Sequence, residues 1–168
     1  MSKWIPKRNK IDLYYSLIYS NLKYCISIWG RLNKGNNLKL QRIQNRAIHI
    51  IEGGYARDIQ ASYKNNKILN VEGIYKHQMG LIMYRKLVEG LYGMTEELGI
   101  KQTKHNLRSK NMFVQPKYRK EVGAETIEVQ GVRIWNEIPD EIKGSLNSGI
   151  FKRRYRDWLL NKQTMGTI

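Results

Sequence analysis

The side chains able to do chemistry in this chain are few and scattered. Its three histidines, His49, His77 and His105, lack the short spacing of a zinc site, and none has a serine or cysteine placed to make a nucleophile–base pair. Cys25 is the single cysteine, which excludes an internal disulfide and a cysteine-based metal site; its apolar neighbours predict a buried, inert thiol. Two-metal phosphoryl chemistry needs convergent carboxylates. Here Asp12, Asp58, Asp140 and Asp157 stand apart, no two aspartates are adjacent, and Glu96-Glu97 and Asp140-Glu141 fall in turn or linker sequence. No glycine-rich loop has the P-loop or dinucleotide pattern. The expectation is a chain with no catalytic residue, no metal ligands and no cofactor of its own.

Its cations are a different matter. Thirty Lys and Arg against 14 Asp and Glu leave a net charge of +16 over 168 residues, a field that favours a polyanionic partner because neutralising phosphates releases condensed counterions. The basic residues come in blocks. From Leu13 to Ile51 there are Lys23, Arg31, Lys34, Lys39, Arg42 and Arg46 and no carboxylate; from Gly99 to Lys120 there are Lys101, Lys104, Arg108, Lys110, Lys117, Arg119 and Lys120, again with none. Lys152, Arg153, Arg154 and Arg156 make a further cluster. Arg42, Asn45, Arg46 and His49 recur every three or four residues, so a helix would carry them on one side, facing either phosphates or plain solvent. Around His105-Asn106, binding is expected of the cations Lys104, Arg108 and Lys110, and turn-making of His105 and Asn106. Among the eleven tyrosines, Tyr63, Tyr118 and Tyr155 have basic neighbours and are candidates for stacking on bases; most of the others lie on apolar stripes.

These groups must be carried by mainly helical elements. Ile11, Tyr14, Tyr15, Ile18, Leu22, Cys25, Ile26 and Trp29 predict one helix from Ile11 to Trp29, stopped by Gly30 and the Asn33–Asn37 cluster. A second runs from Leu38 to Ile51, with Leu40, Ile43, Ala47, Ile48 and Ile51 inward and Gly53-Gly54 as its stop. A short helix over Arg57–Asn65 and a longer one over Val71–Glu89 follow, then a glycine-marked connection. Beyond it, Met112–Val114 and Thr126–Val129 read as a small β-hairpin or two edge strands, Gly131–Glu137 as a short helix, and Gly149–Asn161, capped by Ser148, as a terminal amphipathic helix. In that last helix Arg153, Arg154 and Arg156 point away from the apolar face. No apolar run approaches the roughly 20 residues of a membrane span, Lys23 interrupting the best candidate, and the N-terminal sequence lacks a secretory h-region. With Cys25 alone, an intracellular location, nucleus or cytoplasm, is expected.

An ordered series of motifs resembles the C-terminal end of reverse transcriptases of non-LTR (LINE-type, jockey-like) retrotransposons. It runs through Leu13–Leu22 with Tyr24 and Trp29-Gly30, the Leu40-Gln41-Arg42-Ile43-Gln44-Asn45-Arg46-Ala47-Ile48-His49-Ile50-Ile51 segment, Ile68-Leu69 and Ile74-Tyr75. It continues in His105-Asn106-Leu107-Arg108, Gly123, Thr126-Ile127, Gly131, Trp135-Asn136-Glu137-Ile138-Pro139, Ile142 and Phe151-Lys152. His49 stands where the family usually has a basic residue. The resemblance makes residues 11 to about 90 the thumb and adjoining helices; with the element reading above, the expected organisation is a thumb-like helical subdomain over 1–93, a linker over 94–104, a C-terminal subdomain with a β-hairpin and terminal helix over 105–162, and a frayed tail over 163–168. It also implies a mobile-element protein whose parent family is an RNA-directed DNA polymerase. The adjacent palm aspartates and upstream endonuclease of that family have no counterpart in these residues, so no polymerase activity is expected of the chain alone. The expected partners are RNA, DNA or an RNA–DNA hybrid, held through Arg42, Asn45, Arg46, His49, Lys104, Arg108, Lys110, Arg153 and Arg154. The alternative is a protein-interaction module without a nucleic-acid role, for which a palm-containing polymerase chain is a candidate partner.

Overall fold

The computed structural model describes residues 4–24, 26–29, 34–54, 56–88, 113–114, 117 and 126–165. The protein is mainly helical: α1 (Lys7–Leu13) continues through a π-helical segment (Tyr14–Tyr19) into α2 (Ser20–Lys23). After it come α3 (Ile26–Trp29), α4 (Lys34–Ile51), α5 (Ile59–Asn65), α6 (Val71–Leu87), α7 (Ile127–Glu137), α8 (Asp140–Lys143) and α9 (Ser148–Met165). The chain forms two compact units, Met1–Tyr75 with Arg156–Ile168, and Lys76–Tyr155. The expected linker over 94–104 and Cys25 lie outside the described residues.

In the first unit the predicted Ile11–Trp29 helix starts earlier, after Pro6, and is interrupted where Tyr24 turns extended (ψ 121°). It also widens to a π-helix at Tyr14–Tyr19. Side chains there compete with the backbone ladder: Ser16 Oγ donates to the Asp12 and Leu13 carbonyls at 3.0 and 3.2 Å, and Asn21 Nδ2 to Leu17 O at 2.7 Å. The wider turn gathers Tyr14, Tyr15 and Tyr19, whose ring centroids lie 5.2–6.4 Å apart. Tyr14 packs with Ala47, Ile48, Ile51, Tyr63 and Ile68 in the core of this unit.

α4 begins at Lys34 rather than Leu38, because a helix once nucleated gains a hydrogen bond with each added residue. It ends at the glycine pair: Gly54 N–H donates to His49 O and Gly53 N–H to Ile50 O, with Gly53 at φ +89°. Beside this end Lys7 Nζ meets both Glu52 carboxylate oxygens at 3.0 and 3.1 Å, and Asn66 Nδ2 donates to the same carboxylate. Desolvation alone would raise the Glu52 pKa, but those bonds and the Lys7 charge outweigh it and hold the carboxyl below its ordinary value. Its contribution to stability is therefore present above the usual carboxylate range and lost as pH falls through the lowered value.

α5 is fixed by Asp58, whose Oδ1 accepts from Gln60 N at 2.9 Å and Ala61 N at 3.0 Å. Asp58→Ala is expected to cost about 1 kcal/mol of stability, measurable by urea denaturation, whereas Asp58→Asn keeps the cap and costs little. The chain leaves α5 through Lys67, whose φ of 51° is a conformation usually left to glycine. Its carbonyl is held by the Arg156 guanidinium at 2.7 Å.

In the second unit, α6 residues His77, Met79, Gly80, Leu81, Met83 and Tyr84 are all buried, so the helix is covered over a broad arc rather than a narrow stripe, leaving Gln78 and Ile82 partly buried and Arg85 exposed on the remaining side. Tyr84, Trp135, Phe151 and Tyr155 form an aromatic stack, with Tyr84 and Phe151 centroids 4.4 Å apart. Trp135 is the core anchor of α7. Asn136 beside it fixes the chain, its side-chain amide exchanging two 3.0 Å hydrogen bonds with the Phe113 backbone.

No strand occurs among the described residues, and the predicted β-hairpin is corrected. Thr126–Val129 is the start of α7, where Thr126 is the N-cap and its hydroxyl accepts from Val129 N. The β-branched run misleads because the wider pattern Val129, Val132, Trp135 recurs at helical spacing, and burial of that face overrides local β-propensity. Met112 lies outside the described residues. Two further readings of α9 change: Asn147, not Ser148, caps it through a 2.9 Å bond from Ile150 N, and it runs to Met165, three residues into the expected tail, instead of ending at Asn161.

Candidate nucleic-acid interface

Helix α4 divides its side chains between two tasks. Gln44, Ala47, Ile48 and Ile51 are buried, and Gln44 Nε2 donates to Tyr14 Oη at 2.7 Å and Leu69 O at 2.8 Å. Lys39, Arg42 and Arg46 are exposed on the opposite side at i, i+3 and i+7, so their Cα atoms span about 10 Å along one ridge. Neither Arg42 nor Arg46 makes an ion pair among the described residues, and α4 contains no carboxylate.

The other two members of the predicted stripe have internal partners. Asn45 Oδ1 accepts from Gln41 Nε2 at 2.9 Å and from Tyr63 Oη at 2.8 Å, tying α4 to α5. His49 Nδ1 accepts the Ala56 amide at 3.0 Å, bracing the loop after the glycine turn. Spacing puts both on a shared polar side with the arginines; it does not distinguish side chains reaching solvent from those reaching a neighbouring helix. Lys39 is the cation that the stripe omits, although its place three residues before Arg42 is a sufficient signal.

In the second unit Arg153 and Arg154 are exposed on α9 beside exposed Lys152, and no carboxylate occurs from Ile142 to Arg156. The sequence pattern points Arg156 outward with them. Instead, within the first unit, its guanidinium donates to Tyr15 Oη at 2.8 Å and to Lys67 O, so this arginine is a structural clasp. Lys104, Arg108 and Lys110 lie outside the described residues.

Two stacking candidates are also corrected. Tyr63 and Tyr155 are each 1% exposed and cannot receive a base, and burial raises both phenol pKa values, keeping them protonated donors. Tyr118 lies outside the described residues. His77 is buried, its Nε2 3.0 Å from Lys152 O and its ring stacked on Tyr155. Among the described residues no group of three or more His, Cys, Asp or Glu could hold a metal ion, and no helix is long and apolar enough to cross a membrane.

What this arrangement offers is fixed positive charge on a rigid helix, suited to phosphates through their charge and not to base sequence. No protein-family model, curated protein or solved structure matches the chain.

Proposed function

We propose that this chain acts as the thumb and post-palm region of a LINE-type, jockey-like reverse transcriptase, holding the sugar–phosphate backbone of RNA, DNA or their hybrid without carrying out polymerisation itself. The observation that supports this reading best is the row of Lys39, Arg42 and Arg46, exposed on a carboxylate-free helix in a chain of charge +16. Arg153 and Arg154 supply a second cationic surface on the other unit. Asn45 and His49 serve the interface indirectly, by fixing the helix and the loop that follows it. The ordered motifs from Leu13 to Lys152 give the reading its family, and the missing aspartate pair gives it its limit.

The test is fluorescence anisotropy of a labelled RNA–DNA duplex across a salt series. Affinity is expected to fall steeply with salt, and the Arg42→Glu/Arg46→Glu double variant to flatten the log–log slope by about two, one for each phosphate no longer neutralised. The Arg85→Glu/Arg133→Glu variant changes net charge equally at exposed positions of the other unit and should leave the slope near that of the parent. Salt-independent affinity, no binding at low salt, or equal effects of the two variants would each defeat the reading.

A further inference from the structure

Within the first unit, the helix formed by α1 and its π-helical continuation lies against α4 along an apolar groove of about 180 Å³, lined by Ile5, Leu13, Leu17, Ala47 and Ile50 with Lys10 at its rim. Leu17 is 63% exposed and Ile50 55%, and with Leu13 at 47% they line one contiguous apolar surface. A cavity of about 150 Å³ admits a benzene-sized group, so this one takes large side chains.

Charge decides what those side chains belong to. Lys10 lies at the rim, and Arg46 stands one helical turn before Ile50 on the exposed side of α4. Among the described residues no carboxylate lines the groove: Asp12, two residues on from Lys10, projects from the far side of α1, and the Glu52 carboxylate is engaged by Lys7 and Asn66. A second copy of this chain would bring the same cationic rim against itself at +16 per molecule, a like-charge juxtaposition that opposes association. Nucleic acid would leave the leucines and isoleucines without apolar contact. From Lys10 to Leu17 the groove extends about 10 Å, two turns of helix, matching an apolar ridge at i, i+3, i+4 and i+7.

We infer that this groove binds an amphipathic helix of a partner protein, with large apolar side chains on one face and Asp or Glu flanking them. Arg46 is shared with the nucleic-acid reading, but Lys10, Leu13, Leu17 and Ile50, on which the groove and its test rest, take no part in phosphate contact.

The experiment titrates the full chain into a fluorescent leucine–glutamate helical peptide of about 18 residues, long enough to hold helix. A scrambled peptide of identical composition and a lysine-for-glutamate version of the same face serve as comparisons. The acidic amphipathic peptide is expected to bind at least about tenfold more tightly than either, a difference of about 1.4 kcal/mol. Leu17→Gln, which changes no charge at an exposed site, should cost at least about tenfold in peptide affinity while leaving duplex affinity unchanged. Lys10→Glu should weaken the acidic peptide and strengthen the lysine peptide, an inversion that misfolding cannot produce. Equal binding of the scrambled peptide, insensitivity to Leu17→Gln, self-association that Leu17→Gln abolishes, or Leu17-dependent binding to anionic phospholipid vesicles would each overturn it.

Discussion

Truncating Phe151 to alanine is expected to remove about 3–5 kcal/mol from the unfolding free energy, the range for deleting a fully buried phenylalanine. The ring is 0% exposed and lies 4.4 Å from the centroid of Tyr84, 5.4 Å from Tyr155 and 6.0 Å from Trp135. These neighbours are bulky, buried rings, and Tyr84 is further tied by its hydroxyl to Ser145 O, which opposes collapse of the site into the void. The cost of the vacated apolar volume and that of the missing ring stacking therefore add. Leu146→Ala, at a residue 91% exposed in the same unit, should stay within about 0.5 kcal/mol. Chemical denaturation followed by tryptophan fluorescence reads both, Trp135 lying within the stack. A loss below about 1 kcal/mol for Phe151→Ala would show that the aromatic stack is not the core of this unit.

The second large effect concerns two glycines in the same unit. Gly80→Ala places a methyl carbon 2.3 Å from Tyr155 Cε1 and 3.0 Å from Cδ1 of the same buried ring. Tyr155 is sandwiched against His77 and Phe151 and cannot swing away. The substitution is expected to destabilise by about 2–3 kcal/mol, overpacking exceeding the roughly 1 kcal/mol that alanine adds in helix propensity. Gly131→Ala meets Met83 Sδ at 2.7 Å, a flexible side chain that can repack, so its net cost should fall near zero. Thermal melts of the two variants make the comparison. Equal melting temperatures would mean that Tyr155 has freedom the packing denies it, whereas a fall confined to Gly80→Ala supports close helix approach as the reason for glycine there.

Why some elements were legible and others not follows from the range of the forces that set them. The α4 helix could be read from Ala47, Ile48 and Ile51, and its end from Gly53-Gly54, because periodicity and positive-φ demand are properties of a few consecutive residues. The same periodicity places Ile43 inward, yet it is 50% exposed, since no described element of its unit covers that edge of the helix. Thr126–Val129 misleads because β-branched residues satisfy a local preference for strand and also suit a capped, half-buried helix; only the partner that covers Val129, Val132 and Trp135 decides between them. The π-helical widening at Tyr14–Tyr19 carries no periodicity signal, the serine back-bonds being visible only in three dimensions.

The sequence by itself determined the mainly helical class, the strong positive charge, the absence of an adjacent aspartate pair, and the candidate cations. Each is a matter of composition or of spacing within one element. Tertiary structure alone decided which polar side chains remain available. Arg42 and Arg46 reach solvent, while Asn45, His49 and Arg156, no less polar in sequence, are bound to Tyr63, to the Ala56 amide, and to Tyr15 and Lys67. The reason is physical: a buried donor or acceptor without a partner costs free energy, so groups near a packing surface are drawn inward by whatever the rest of the chain brings within about 3 Å. That partner is set by the fold and not by neighbours in sequence.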